Sequence, residues 1–189
     1  MAKNPITAVA NAAYRNNSAH AFRAAAFSLI ELLAYLCIVS ILLLFAFPQL
    51  HYLVQKSNLD SRTSELLLSI KSAKVASIDS HRSVMICRKR IELACQGGAG
   101  RGKHDWSNGW LVFTDTNGDK IYQQSEQLIK ATRFNRERCT ITWNRGDYVN
   151  FHKFGVLKGA RAGSFVINCG QLTTKLVINW LGRVRVETK

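Results

Sequence analysis

Residues 26–50, "AFSLIELLAYLCIVSILLLFAFPQL", constrain this chain more than any other stretch. From Phe27 to Leu50 they are almost wholly apolar and carry one acid, Glu31. As a helix at about 1.5 Å per residue the run would rise about 36 Å, enough to cross a hydrocarbon core of about 30 Å. It therefore reads as a membrane helix. Residues 1–26 hold Lys3, Arg15 and Arg23 and no acid. The positive-inside rule keeps such a leader in the cytoplasm and sends the C-terminal part across. The small residues "AAA" at 24–26 precede the apolar core, whereas a secretory signal is cut after it. A cut there would leave the helix on the mature chain, with a new amino group on Phe27. An uncompensated acid within a membrane helix costs on the order of 3 kcal/mol, so Glu31 calls for a partner. The ammonium of Phe27 on a neighbouring subunit would serve.

"AFSLIELL", with Phe27 first and Glu31 fifth in the cut chain, and Pro48 closing the apolar run, resembles the class III signal and N-terminal helix of type IV pilins and pseudopilins. The resemblance implies that a prepilin peptidase cleaves between Ala26 and Phe27 and methylates the Phe27 amine. It also implies that Glu31 registers each subunit against other major and minor pilins in a filament. The residue before the cut is usually Gly in that family and is Ala26 here. The expected organisation is a cytoplasmic leader over 1–26, a transmembrane and filament-core helix over 27–50, and a periplasmic domain over 51–189. That makes the chain a single-pass inner-membrane protein that is incorporated into a pilus.

Pro48 removes a backbone donor and is expected to kink the helix rather than end it. Beyond it, Leu50, Leu53 and Val54, then Leu66, Leu67, Ile70, Ala73 and Ser77, recur at helical spacing and predict one apolar stripe running to about Ser80. After residue 82 the period changes. "SVMICRK", "GWLVFTD", "KIYQQ", "TITW", "YVNFH", "SFVINC", "KLVINW" and "GRVRVET" are short and rich in β-branched and aromatic residues, and Gly, Asn and Asp separate them. One long helix followed by many antiparallel strands is an α+β domain, with the helix packed on a sheet or across a small sandwich. "GWLVFTDTNGDK" and "VNFHKFGVLKGARAGSFVINC…KLVINWLGRVRV" resemble the FimT and GspH branch of the pseudopilins, and closest to them the FimT-like minor pilins of natural transformation. With the helix, the likeness covers most of residues 26–186.

Net charge is +14, unevenly spread. Residues 130–189 hold 12 Lys/Arg against 3 Asp/Glu, a net of +9, and residues 27–129 hold 11 against 9. Such asymmetry points to an anionic partner, nucleic acid or an acidic membrane surface. Of the five cysteines, Cys37 lies in the apolar run, while Cys87, Cys95, Cys139 and Cys169 lie in the polar domain. There is no C-x-x-C, and no His stands at ligand spacing from them, so disulfides are expected rather than zinc. Four cysteines allow three pairings. Cys87–Cys95 with Cys139–Cys169 is the preferred one, because a short hairpin would bring the first two together.

"GRVR" at 182–185 is the strongest candidate site. In a strand Arg183 and Arg185 would share one face, roughly 6.6 Å apart, with Val184 and Val186 turned inward and Glu187 the one acid nearby. Guanidinium forks suit phosphate oxygens and bind DNA without reading its sequence. In transformation-associated relatives a Gly-Arg-x-Arg motif at this place is implicated in binding incoming DNA. The resemblance thus implies that Gly182, Arg183 and Arg185 bind double-stranded DNA. Arg133, Arg136, Arg138, Arg145, Lys153, Lys158 and Arg161 could widen the surface, with Arg145, Lys158 and Arg161 foremost. Trp143, Tyr148 and Phe151 interleave with them, but their alternating spacing is that of core residues.

Other motifs fall short. "GGAGRGKH" at 97–104 begins like a phosphate loop, but His104 stands where Ser or Thr should hold magnesium, and a turn follows in place of a helix. "DTNGDK" at 115–120 starts like a calcium loop, and Asn-Gly between two apolar runs is better read as a tight hairpin turn. The histidines, His20, His51, His81, His104 and His152, are scattered, and none completes a nucleophile or metal motif. The expectation is a non-enzymatic filament subunit without a cofactor or metal.

Overall fold

The computed structural model describes residues 28–90, 93–95, 103–134, 139–159 and 162–188, apart from the side chains of Phe45, Ala46, Pro48 and Thr188. The chain falls into two compact units, Met1–Leu44 and Phe45–Lys189. One helix, α1 (Leu29–Asp79), runs through Pro48 without ending there. Its first half is long and apolar enough to cross a membrane, and its large apolar side chains from Leu29 to Leu44 are exposed. The helix stops at His81, whose φ of 53° is left-handed.

Among the described residues nine strands follow: β1 (Ser83–Arg88), β2 (His104–Asp105), β3 (Trp110–Asp115), β4 (Leu128–Ala131), β5 (Thr140–Trp143), β6 (Tyr148–Phe151), β7 (Gly163–Cys169), β8 (Leu172–Ile178) and β9 (Val184–Thr188). They form a four-stranded sheet, β4-β3-β1-β6, and a five-stranded sheet, β2-β5-β7-β8-β9, and all pairings are antiparallel. This is the α+β architecture read from the sequence, a long N-terminal helix packed on antiparallel sheets.

One core joins the three layers. Leu59, Leu66, Ile70 and Ala73 of α1 pack with Val84, Ile86, Trp110 and Val112 of the four-stranded sheet and with Ile141, Trp143, Phe165, Ile167, Leu176 and Ile178 of the five-stranded sheet. The alternate residues of β1 and β3, Met85, Cys87, Leu111 and Phe113, form a second cluster on the other face. The four-stranded sheet is therefore covered on both sides, which is why β1 and β3 read as unbroken apolar runs. The five-stranded sheet is covered on one side only. Phe165, Ile167, Leu176 and Ile178 are buried, and Lys175 faces outward.

Three sequence expectations are corrected. Leu50, Leu53 and Val54 are exposed, and packing of the stripe begins at Leu59. "KIYQQ" is not a strand, and Asn117-Gly118 is not a two-residue hairpin turn. Residues 116–127 form one long loop between β3 and β4. Side chains take up its backbone donors: Asp115 Oδ1 accepts from Gly118 N (2.8 Å), Asn117 Oδ1 from Asp119 N (3.0 Å) and Asp119 Oδ1 from Ile121 N (2.8 Å). Glu126 accepts from Thr116 N (2.9 Å) and Gln123 N (3.2 Å), so Ile121 and Gln123 of "KIYQQ" donate to side chains and not to a ladder. The two-residue β2 is too short to show a period in sequence, and β4 has no Gly, Asn, Asp or Pro directly at either end to mark it.

Cys87 is bonded to Cys95 and Cys139 to Cys169. The second bridge joins adjacent strands just beyond the Thr140–Asn168 pair of β5 and β7.

Candidate nucleic-acid interface

The turn between β8 and β9 carries the "GRVR" arginines, and its shape follows from Asn179 and Gly182. Gly182 N donates to Asn179 O (2.9 Å), Asn179 N to Arg183 O (3.0 Å), and Arg183 N to Asn179 Oδ1 (2.9 Å). Gly182 has φ +68°, and a Cβ there would come within 2.8 Å of a Phe151 ring carbon and 2.9 Å of Gly155 O. Gly182 is buried, so its part in the motif is conformational: it lets the turn close against the neighbouring loop and is not itself a surface for a ligand. The two carbonyls at the tip are also held. Trp180 O accepts from Leu157 N (2.9 Å), and Leu181 O accepts from Lys74 Nζ (2.8 Å) of α1. Sequence reasoning missed Lys74, because nothing in a helical stripe marks a cation that reaches a residue 107 positions away.

Arg183 stands one residue ahead of β9 and is exposed, and Arg185 lies in β9 opposite Val177. β9 is an edge strand. Val184 packs against the core, but Val186 is 42% exposed, contrary to the expectation that both valines turn inward. Val186 pairs with the buried Leu176, but on an edge strand it has a neighbouring strand on one side only. Nor is Arg185 an open guanidinium. It donates to Glu187, which also lies 3.5 Å from Lys175 Nζ. The hydrogen bond from Arg185 holds the Glu187 carboxyl below the usual carboxylate range, with the Lys175 charge adding to it.

Arg145 and Lys158 line one shallow depression with Trp143, Tyr148, Asn150 and Leu157. Arg145 Nε donates to Ala162 O (2.8 Å), and a Cβ on Gly163 would press within 2.8 Å of the Arg145 side chain. Asn144 N bonds Ser164 O, Gly163 pairs with Ile178, and Ile178 with Val184. Arg145 and Arg183 therefore flank the same end of the five-stranded sheet, three strand spacings or about 14 Å apart. The loop after β6 runs along that end, since Leu157 bonds Trp180 and its neighbour Lys158 sits beside Arg145. Arg145, Lys158 and Arg183 thus share one rim.

Arg133 does not join it, because it follows β4, at the far edge of the four-stranded sheet from β6. Lys153 lies 5.2 Å over the exposed ring of Phe154, on the loop after β6. Arg136, Arg138 and Arg161 lie outside the described residues, as do Ala26 and Phe27. Trp143 and Phe151 are buried in the core, and Tyr148 takes Lys120 on its ring face. Among the described residues no group of three or more His, Cys, Asp or Glu could hold a metal ion.

With this geometry in view, the comparisons are informative. The family model for the type II transport protein GspH matches residues 62–182. The chain belongs to the GspH family. Two crystal structures of the type IV minor pilin FimU from Pseudomonas aeruginosa share its fold, at TM-scores of 0.55 and 0.52 and 16% identity. The first covers 71% of this chain and 92% of the FimU chain, and the second 68% and 92%. Among curated proteins none matches the chain in sequence. In family and fold the chain is a type IV pilin-like minor pseudopilin, with the apolar N-terminal helix that fits membrane anchoring and association with other pilins. The match to the GspH model ends at Gly182, so Arg183 and Arg185 lie just past it.

Proposed function

We propose that this GspH-family protein is a minor pilin that binds double-stranded DNA without sequence preference and assists DNA uptake in natural transformation. The observation that carries the reading is the rim of Arg145, Lys158 and Arg183 along one end of the five-stranded sheet, with the arginine turn held by Lys74 and Leu157. Cations about 14 Å apart on a stiff edge can meet several phosphates at once. Arg161, outside the described residues, is assigned to the same surface from its place in the sequence alone. Before filament entry, prepilin peptidase removes residues 1–26 and methylates Phe27. Residues 27–50 then hold the chain in the inner membrane, and the periplasmic domain faces away from the cytoplasm.

The test is a titration of the full chain in nonionic detergent with duplex DNA at several salt concentrations. A single copy should bind with a Kd on the order of micromolar or weaker, and the affinity should fall steeply as salt rises. Arg183→Gln/Arg185→Gln should weaken binding and reduce the salt slope by about 1 to 2, because each lost phosphate contact removes about 0.9. Equal binding and equal slope in the folded variant would refute the site. Display of several copies in one filament would raise avidity.

A second reading is favoured by the family match itself, whose description is a type II transport protein. In it the chain is a minor pseudopilin of a secretion system, with other pseudopilins and secreted substrates as its partners. Deletion that abolishes secretion and leaves DNA uptake intact would select this reading, and the reverse pattern the first.

A further inference from the structure

Three of the four tryptophans, Trp106, Trp110 and Trp143, are buried to within 1% of full burial, whereas Trp180 is 54% exposed on the β8–β9 turn. Phe154, 69% exposed, sits on the loop after β6. The two loops touch. Leu157 N donates to Trp180 O, and Gly155 O lies 2.9 Å from where a Gly182 Cβ would stand. Each ring projects from backbone that is already fixed. Residues 152–156 are closed by His152 N to Val156 O and Gly155 N to His152 O, both 2.8 Å, and residues 179–183 by the bonds described above. Cations accompany the rings: Lys153 Nζ lies over the Phe154 ring, 5.2 Å from its centroid, and Arg183 follows Trp180 by three residues. Neither 152–159 nor 179–185 contains an acid.

Exposed aromatic faces beside cations on a stiff backbone do more than hold phosphates. In a duplex the faces of the bases are covered by their neighbours. An unpaired base leaves its face open and can stack on an indole or phenyl ring while Arg or Lys holds its phosphate. We propose that Trp180 and Phe154 form a stacking platform for unpaired nucleotides, so that this end of the domain takes single-stranded DNA or the frayed end of a duplex. The proposal rests on the DNA reading above and adds two residues and a strand preference to it. A subunit docking on the same aromatic pair is the competing occupant. It is disfavoured by the absence of acids in both segments and by their continuity with the arginine turn.

Trp180 is its own reporter, because the buried tryptophans give a constant background. The full chain in nonionic detergent is titrated with an oligothymidylate of about 12 nucleotides and with a blunt duplex of about that length, at equal phosphate concentration. Oligothymidylate should quench the iodide-accessible part of the emission, and the duplex should quench it far less. Trp180→Leu should weaken oligothymidylate binding about 5- to 100-fold, leave duplex affinity within about 2-fold, and be largely rescued by Trp180→Phe; Phe154→Leu should act in the same direction. Duplex binding that depends on Arg183 and Arg185 with Trp180 unquenched by either DNA would overturn the platform and leave the DNA reading standing. Equal losses for both DNA forms in Trp180→Leu would also overturn it. No binding of either DNA at low salt would remove both proposals. A blue shift of Trp180 emission as the chain self-associates, with no response to DNA, would overturn the platform and assign the patch to a protein contact.

Discussion

Glu187 sets how much of Arg185 a ligand can use. It accepts from Arg185 and lies 3.5 Å from Lys175, so the three side chains together carry one positive charge where two bases alone would carry two. All three are at or near the surface, where such pairs contribute little to stability. The pair matters instead as a competitor for phosphate. Glu187→Gln should leave the melting temperature nearly unchanged, tighten duplex binding a few-fold and steepen the salt slope by about 0.9, as read by the same titration. A Glu187 carboxyl held low remains charged, and the pair intact, to a lower pH than an isolated glutamate would allow. Acidifying from neutral should therefore mimic the substitution only once the pH falls below the ordinary carboxylate range. The motif's residue types were legible in the sequence. The engagement of Arg185 was not, because whether a strand neighbour two residues on is a partner or a bystander depends on the rotamers that β9 and β8 permit.

Among the elements, the β3–β4 loop shows where local chemistry overrides a pattern. Asp115 closes β3, is buried, and is pushed above its ordinary pKa by that burial, against the Gly118 hydrogen bond and with the Glu126 charge adding to the rise. A carboxyl raised on folding favours the protonated fold. Its contribution is present below the unfolded pKa and is lost as pH rises through the folded value. Asp115→Asn keeps an acceptor for Gly118 N and removes the charge. It should raise the melting temperature at pH 7, and the gain should vanish as pH is lowered through the carboxylate range, measured by thermal denaturation at both ends. The strands β1, β3, β5, β6, β7, β8 and β9 were legible because each pairs alternation or a continuous apolar run with a turn residue at its end. "KIYQQ" misled because Asp115, Asp119 and Glu126 take the backbone donors of Thr116, Gly118, Ile121 and Gln123. The start of packing at Leu59 was equally hidden, because Leu50, Leu53 and Val54 are as apolar as the residues that pack.

Across the whole molecule, the helix divides its work between an exposed apolar half and a half that carries the domain. Glu31, in the first turn of α1, belongs to the exposed half. Glu31→Ala should leave cleavage before Phe27 largely intact and lower filament incorporation several-fold, scored by immunoblot of sheared pili. Normal incorporation would refute its pairing with the Phe27 ammonium. The candidate DNA surface was half legible. "GRVR" can be read off the chain, but the meeting of Arg145 and Arg183 at one sheet end follows from the strand order β5-β7-β8-β9, and that of Lys158 from the Leu157–Trp180 bond, neither of which a local pattern encodes. The bond from Lys74 Nζ to Leu181 O has a mechanical consequence. A load applied at this turn would pull on an edge strand that is stitched on one side only, a geometry that peels apart bond by bond. Lys74 offers such a load a second path, from the turn straight into α1, so that the edge strand would not carry it alone.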